Sequence, residues 1–286
     1  AVGKVTTFTV TNLDPSVIYY FAVKANYGSL GDSEFSSEIT SGPTRYAIGL
    51  GANPTNSGKL EILNIHGDYE QDIPVGWAEY NAQSGEARIA TGDIDGDGKD
   101  EIVLGFAAVP QSGLPAGRFE ILDDDFSHLL WGQVSWPDYN ALNGETRPAI
   151  GDIDGDGREE IFIGLGRGGD GFIEIFRFAD GAIISLGWTE INWPDYKQEN
   201  GESWPALGDL DGDGRAELAI GLGDGGSGIF FVKKGFDPDR LAAGDDPWAS
   251  EIEGNLHWVE YSGLVGETRP SFGDINGDGN QEIAVG

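Results

Sequence analysis

A chain of 286 residues with 49 acidic against 17 basic side chains carries a formal charge of −32, a field that repels nucleic-acid phosphates and anionic headgroups and attracts cations. Its 39% hydrophobic and 11% aromatic content is enough for a buried core, whereas 46 glycines and 13 prolines exclude a mainly helical fold, since glycine costs a helix about 1 kcal/mol relative to alanine and proline about 3. The absence of cysteine excludes disulfides, thiolate metal sites and thiol catalysis, and no apolar run reaches the roughly 18 residues that a spanning helix needs.

Residues 1–42 have no counterpart in the rest of the chain. Tyr19, Phe21, Val23 and Ala25 alternate as a half-buried strand does. With Leu13 and Pro15 ahead of Tyr19, this stretch resembles the tyrosine corner and following strand of the fibronectin type III family. The resemblance implies that residues 1–42 are the C-terminal half of such a β-sandwich domain. With no methionine and no leader pattern at its start, the chain is expected to be a processed product or a fragment.

From residue 43 onward the sequence repeats. The segments Gly92–Ile102, Gly151–Ile161, Gly208–Leu218 and Gly273–Ile283 share the pattern GD(I/L)(D/N)GDG, at spacings of 59, 57 and 65 residues. A Gly-Glu pair precedes each at Gly85, Gly144, Gly201 and Gly266. Ahead of these stand Tyr80, Tyr139, Tyr196 and Tyr261, and three residues before each tyrosine a tryptophan, Trp77, Trp136, Trp193 and Trp258. Repeats of this length point to stacked supersecondary units, here about 45–84, 85–143, 144–200, 201–265 and 266–286.

Within one repeat the pattern reads as four short strands. In the second full copy these are Arg147–Gly151, Glu160–Leu165, Phe172–Phe178 and Ile183–Ile191, rich in Ile, Val, Phe and Trp and separated by Asp-Gly and Gly-Gly turns. No segment sustains a helical period. One four-stranded sheet per repeat is a propeller blade, so the fold class expected is all-β: a partial β-propeller, three full blades with partial blades at each end, after a truncated β-sandwich. Tyr46–Gly51 matches the strand that elsewhere follows the acidic loop, so the first blade is expected to take its inner strand from the chain's C-terminal side.

Each acidic loop places carboxylates at positions 1, 3, 5 and 9, with glycines at 4 and 6. In a tightly curled loop alternate residues point inward. Asp93, Asp95, Asp97 and Glu101 can therefore converge, joined by the Lys99 carbonyl. The equivalents are Asp152, Asp154, Asp156, Glu160 and the Arg158 carbonyl, then Asp209, Asp211, Asp213, Glu217 and the Arg215 carbonyl, then Asp274, Asn276, Asp278, Glu282 and the Asn280 carbonyl. Six to eight hard oxygens suit Ca2+ better than Mg2+, so about four calcium sites are expected, the fourth weakest because Asn276 removes a charge. An EF-hand requires a glutamate at position 12, where this chain has Leu104, Ile163, Ile220 and Val285.

The loops, the strands and the period together resemble the FG-GAP or VCBS repeats of integrin-α-like propellers over residues 45–286. That resemblance implies a secreted or cell-surface, calcium-binding adhesion or recognition module, monomeric within a larger multidomain chain, with an extracellular glycan or protein as partner. Related propellers also serve as scaffolds of secreted polysaccharide lyases or hydrolases, which is the alternative.

The strings Gly164–Gly169 and Gly221–Gly226 satisfy GxGxxG but run into a strand, not a helix, and read as hairpin turns. His66, His128 and His257 occupy unrelated repeat positions with no nucleophile motif, so no catalytic residue is assigned. Trp136, Tyr139, Trp193 and Tyr196 have two readings: packing between blades, or lining pockets that stack on sugars or peptide side chains.

Overall fold

The computed structural model describes residues 19–21, 39–41, 45–52, 58–64, 66–109, 114, 116–276 and 280–286. Leu13, Pro15, Val23 and Ala25 of the tyrosine-corner reading, and Asp278 of the fourth loop, lie outside them. The chain divides into two compact units, residues 1–48 with 61–72, and residues 49–60 with 73–286. Near the N-terminus β1 (Tyr19–Phe21) pairs antiparallel with β2 (Ile39–Ser41), and β3 (Arg45–Gly49), β4 (Lys59–Asn64) and β5 (Tyr69–Pro74) form a three-stranded sheet in that order.

Three four-stranded antiparallel sheets come next, each a meander in sequence order. The first is β6 (Ala87–Gly92), β7 (Glu101–Phe106), β8 (Arg118–Leu122) and β9 (His128–Gln133). The second is β10 (Thr146–Gly151), β11 (Glu160–Leu165), β12 (Phe172–Ala179) and β13 (Ala182–Glu190). The third is β14 (Ser203–Gly208), β15 (Glu217–Leu222), β16 (Ile229–Phe236) and β17 (Trp248–Asn255). A last hairpin joins β18 (Pro270–Gly273) to β19 (Glu282–Val285). The strands of the second sheet match those legible in the sequence to within a residue or two.

Burial explains the order. The second strands β7, β11 and β15 are buried along their whole length, whereas most of β17 is exposed. The core lies between successive sheets: Val103, Phe119 and Ile121 meet Ile161, Ile163 and Phe176, and Phe162 and Ile175 meet Leu218, Ile220 and Phe231.

The spacing of the sheets depends on one glycine per second strand. A Cβ on Gly105 would lie 2.3 Å from the Thr146 carbonyl oxygen, one on Gly164 2.5 Å from that of Ser203, and one on Gly221 2.2 Å from that of Thr268. Glycine is required there because the next sheet's inner strand passes too close for any side chain. A hydroxyl at the start of that strand, or two residues ahead of it in the case of β18, closes the junction. Thr146 Oγ1 accepts the Phe106 N–H at 2.8 Å and donates to the Arg118 carbonyl at 2.8 Å; Ser203 does the same with Leu165 and Phe172, and Thr268 with Leu222 and Ile229.

Short helices lie where one sheet hands over to the next: α1 (Ala78–Asn81), α2 (Pro137–Leu142), α3 (Pro194–Glu199) and, after α4 (Pro238–Ala243) between β16 and β17, α5 (Val259–Ser262). They carry the tyrosines of the Trp-x-x-Tyr motif, with the tryptophan as N-cap residue. At four to six residues they are too short to leave a period in the sequence.

Candidate metal centres

The acidic loops are the turns between first and second strands: Gly92 closes β6 and Glu101 opens β7, and likewise for Gly151 and Glu160, and Gly208 and Glu217. Position 1 organises the curl. Asp93 Oδ1 accepts the N–H groups of Gly96 at 2.7 Å and Asp97 at 3.1 Å, and Oδ2 accepts that of Gly98 at 2.9 Å. Asp152 and Asp209 repeat this with Gly155 and Gly157, and with Gly212 and Gly214. These glycines adopt φ between 75° and 88° in all three loops, a region that side chains resist.

Ligand atoms of Asp93, Asp95 and Glu101 lie within 4.8 Å of one another, as do those of Asp152, Asp154 and Glu160 and those of Asp209, Asp211 and Glu217. Two oxygens that share one calcium at about 2.3–2.6 Å from each are separated by no more than roughly 5 Å, so these spacings suit a common ion. Positions 1, 3 and 9 therefore converge in the first three loops. Position 5 lies outside this 4.8 Å group, and Asp97, Asp156 and Asp213 each accept, through one oxygen, the N–H of Lys99, Arg158 and Arg215 at 2.9 Å. In the fourth loop Glu282 accepts the Ile275 N–H at 2.8 Å and the Asn276 side-chain amide at 2.6 Å, so the asparagine that lowers the charge also hydrogen-bonds the glutamate.

Glu101, Glu160 and Glu217 are 0%, 0% and 4% exposed. The Ile94 N–H reaches Glu101 Oε2 at 3.1 Å, while Glu101 Oε1 is buried without a hydrogen-bond partner. Buried polar atoms without partners are rare in proteins, and this one sits beside two further carboxylates. Burial, and behind it the charges of Asp95, Asp93 and Asp97, push the Glu101 carboxyl up to about 7, with the Ile94 hydrogen bond opposing in part. A divalent cation at the centre of the triad would supply Oε1 with its missing partner and reverse the repulsion. The first loop fits a divalent cation.

The loops are tied into a series. The position 8 residue of each donates its N–H to the position 1 carbonyl of the loop before: Glu159 to Asp93 at 2.9 Å, Ala216 to Asp152 at 2.7 Å and Gln281 to Asp209 at 3.2 Å. Burial, then the charges of Asp100, Asp93 and Asp152, push Glu159 up to about 7.

Tyr139 and Tyr196 are each 2% exposed. The Tyr139 hydroxyl donates to the Glu145 carbonyl at 2.7 Å and accepts the Gly166 N–H at 2.6 Å; Tyr196 makes the same pair with Glu202 and Gly223. These phenols hold the junction between sheets, while Trp136, tilted against Tyr139, and Trp193, stacked on Tyr196, are half-buried. Beside α2 and α3 lie two grooves of about 470 and 480 Å³ at equivalent places in successive repeats, one bordered by Gln133, Ser135 and Pro137, the other by Glu190, Asn192, Trp193 and Lys197.

The sequence reading missed the cations near the loops. Arg177 Nε donates to Glu160 Oε1 at 2.8 Å, and a terminal nitrogen lies 2.6 Å from the same oxygen while also pairing with Asp154. Lys234 Nζ is 3.4 Å from Asp211 Oδ2. Burial pushes Glu160 up to about 7 against the pull of Arg177, and raises Glu217 against that of Lys234.

Residues 152–220, from the second acidic loop into the strand after the third, match the FG-GAP-like repeat family. The chain is 24% identical over 216 residues to Integrin alpha-PS2 of Drosophila melanogaster, an alignment covering 69% of this chain and 15% of that protein. Among solved structures, it is similar to the exotype rhamnogalacturonan lyase YesX (TM-score 0.46, 17% identity, 98% of this chain and 48% of that one). It is also similar to the Bacillus licheniformis rhamnogalacturonan lyase PL11 (TM-score 0.44, 15% identity, 94% and 53%). The chain thus spans about half the length of those lyases and a small part of the integrin. Among the described residues no helix is long and apolar enough to cross a membrane.

Proposed function

We propose that this chain is a calcium-stabilised recognition module of propeller type, exposed to an extracellular medium and binding a glycan or protein ligand without catalysis. The observation that carries this reading is the convergence of Asp93, Asp95 and Glu101 around a buried glutamate oxygen with no partner. The FG-GAP-like match over residues 152–220 and the integrin similarity support the setting, because extracellular modules hold calcium at about 10⁻⁴–10⁻³ M, far above cytosolic levels. Calcium bound only by the folded state stabilises it by mass action. The ligand set proposed is the position 1, 3 and 9 carboxylates with the position 7 carbonyls. The pairing of β1 with β2 is compatible with a fibronectin type III half-domain over residues 1–42.

Two equivalent grooves in successive repeats, one with Trp193 on its wall, favour repeated binding over a single catalytic cleft. Arg88, Arg147 and Arg269 surround Trp204 and pair with Glu86, Glu145, Glu202 and Glu267, which supports a structural use for them rather than an enzyme's. The test is binding of the calcium-loaded chain to arrayed glycans and extracellular matrix proteins, with and without chelator. A retained ligand that is lost in chelator and in Trp193→Ala is the expected result. Failure to retain any of them, together with cleavage of an acidic polysaccharide, would replace the binding module with the enzyme.

A further inference from the structure

The acidic loops have the same sequence pattern but different neighbours across the sheet. In the second sheet Ile161 pairs with Phe176, so the residue after Phe176, Arg177, stands across from Glu160. In the third, Leu218 pairs with Lys233 and the next residue is Lys234. In the first, Ile102 pairs with Leu122 and the next residue is Asp123. One register position therefore carries an acid, an arginine and a lysine in turn.

We infer that the second loop carries its own cation: the Arg177 guanidinium takes the place that a divalent ion takes in the first loop, and loop 2 stays free of calcium while Arg177 is present. This rests on the reading of these loops as calcium sites. Arg177 engages two of the three converging carboxylates, Asp154 and Glu160, and its other terminal nitrogen is 4.0 Å from Asp156. Glu160 Oε1, the counterpart of the unpartnered Glu101 Oε1, accepts from it. A planar, weakly hydrated guanidinium suits this work, because its fork satisfies two carboxylates at once and it gives up little hydration on entering. Calcium would have to expel it.

The other two loops differ. Around the first, Lys99 turns its ammonium to Asp124, outside the triad, and lies 3.7 Å from Asp97, so the described residues bring no cation to Glu101 Oε1. At the third, among the described residues, Lys234 makes its ion pair with Asp211 alone of the three carboxylates. A single ammonium on a flexible stem is displaced more easily than a guanidinium fork. The order of calcium affinity among these three is then loop 1, loop 3, loop 2.

The experiment counts calcium ions per chain by titration calorimetry in the wild type, Arg177→Gln and Asp123→Arg. Arg177→Gln is expected to gain one ion and Asp123→Arg to lose one. Arg177→Gln leaves a buried carboxylate uncompensated without metal, so a variant that folds only when calcium is supplied, seen by circular dichroism, is the same result in another readout. Equal counts in all three proteins overturn the inference while leaving the calcium reading intact. No calcium taken up by any of the three overturns both.

Discussion

The Arg147 guanidinium carbon lies 3.9 Å from the centre of the Trp204 ring. Arg269 lies 3.7 Å from the same ring and Arg88 5.5 Å, so one tryptophan on β14 gathers the arginines that β6, β10 and the approach to β18 offer at equivalent positions. Cation–π contacts contribute about 0.5–2 kcal/mol each. Trp204→Ala is expected to cost about 2–4 kcal/mol, read by urea denaturation, with the calcium count unchanged. Unaltered stability would mean that the stack contributes nothing.

Tyr139→Phe removes a hydroxyl that serves two backbone groups. The Gly166 N–H and the Glu145 carbonyl both lose their partner, and a buried group left unpaired costs about 1–3 kcal/mol. Equilibrium denaturation should show a loss in that range for Tyr139→Phe and a similar one for Tyr196→Phe. A loss confined to one of the two would contradict their equivalence.

Glu174 links stability to pH away from the acidic loops. It is 0% exposed, and burial raises its carboxyl, opposed by hydrogen bonds from Ser135 and Ser185. The folded state therefore binds this proton more tightly than the unfolded chain, whose value is near 4.5. Its contribution is full below about 4.5 and lost as pH rises through the raised folded value. Wild type should lose stability relative to Glu174→Gln across that window, measured in calcium. A difference that stays constant with pH would contradict the assignment.

Much of this architecture is legible in the chain because it is local. The glycines at loop positions 4 and 6, the acids at 1, 3 and 9 and the apolar strands on either side all lie within about a dozen residues, and the structure brings the acids together in three loops. What sequence spacing could not show depends on register. Arg177 meets Glu160 only because β11 and β12 pair as they do. Tyr139 and Tyr196 are aromatic residues in a polar stretch, which fits a surface as well as a core. Their burial follows from short helices that leave no periodic signal.

Glu101→Gln separates charge from size in the first loop. In chelator the neutral amide should stabilise the fold or leave it unchanged, since it relieves a buried carboxylate crowded by Asp93 and Asp95. In calcium it should destabilise relative to wild type, with at least about a tenfold loss of affinity at one site, or roughly 1.4 kcal/mol. The same sign in both buffers would contradict a metal role for Glu101.

The central claim is that acidic loops of this chain, the first foremost, hold calcium in the folded protein. Thermal unfolding of the unaltered chain in calcium, in magnesium and in chelator tests it most directly. Calcium at 100 times its dissociation constant should add about 2.7 kcal/mol for each occupied site, giving a melting temperature well above that in chelator, with magnesium between the two. Identical melting temperatures in all three buffers would contradict the account.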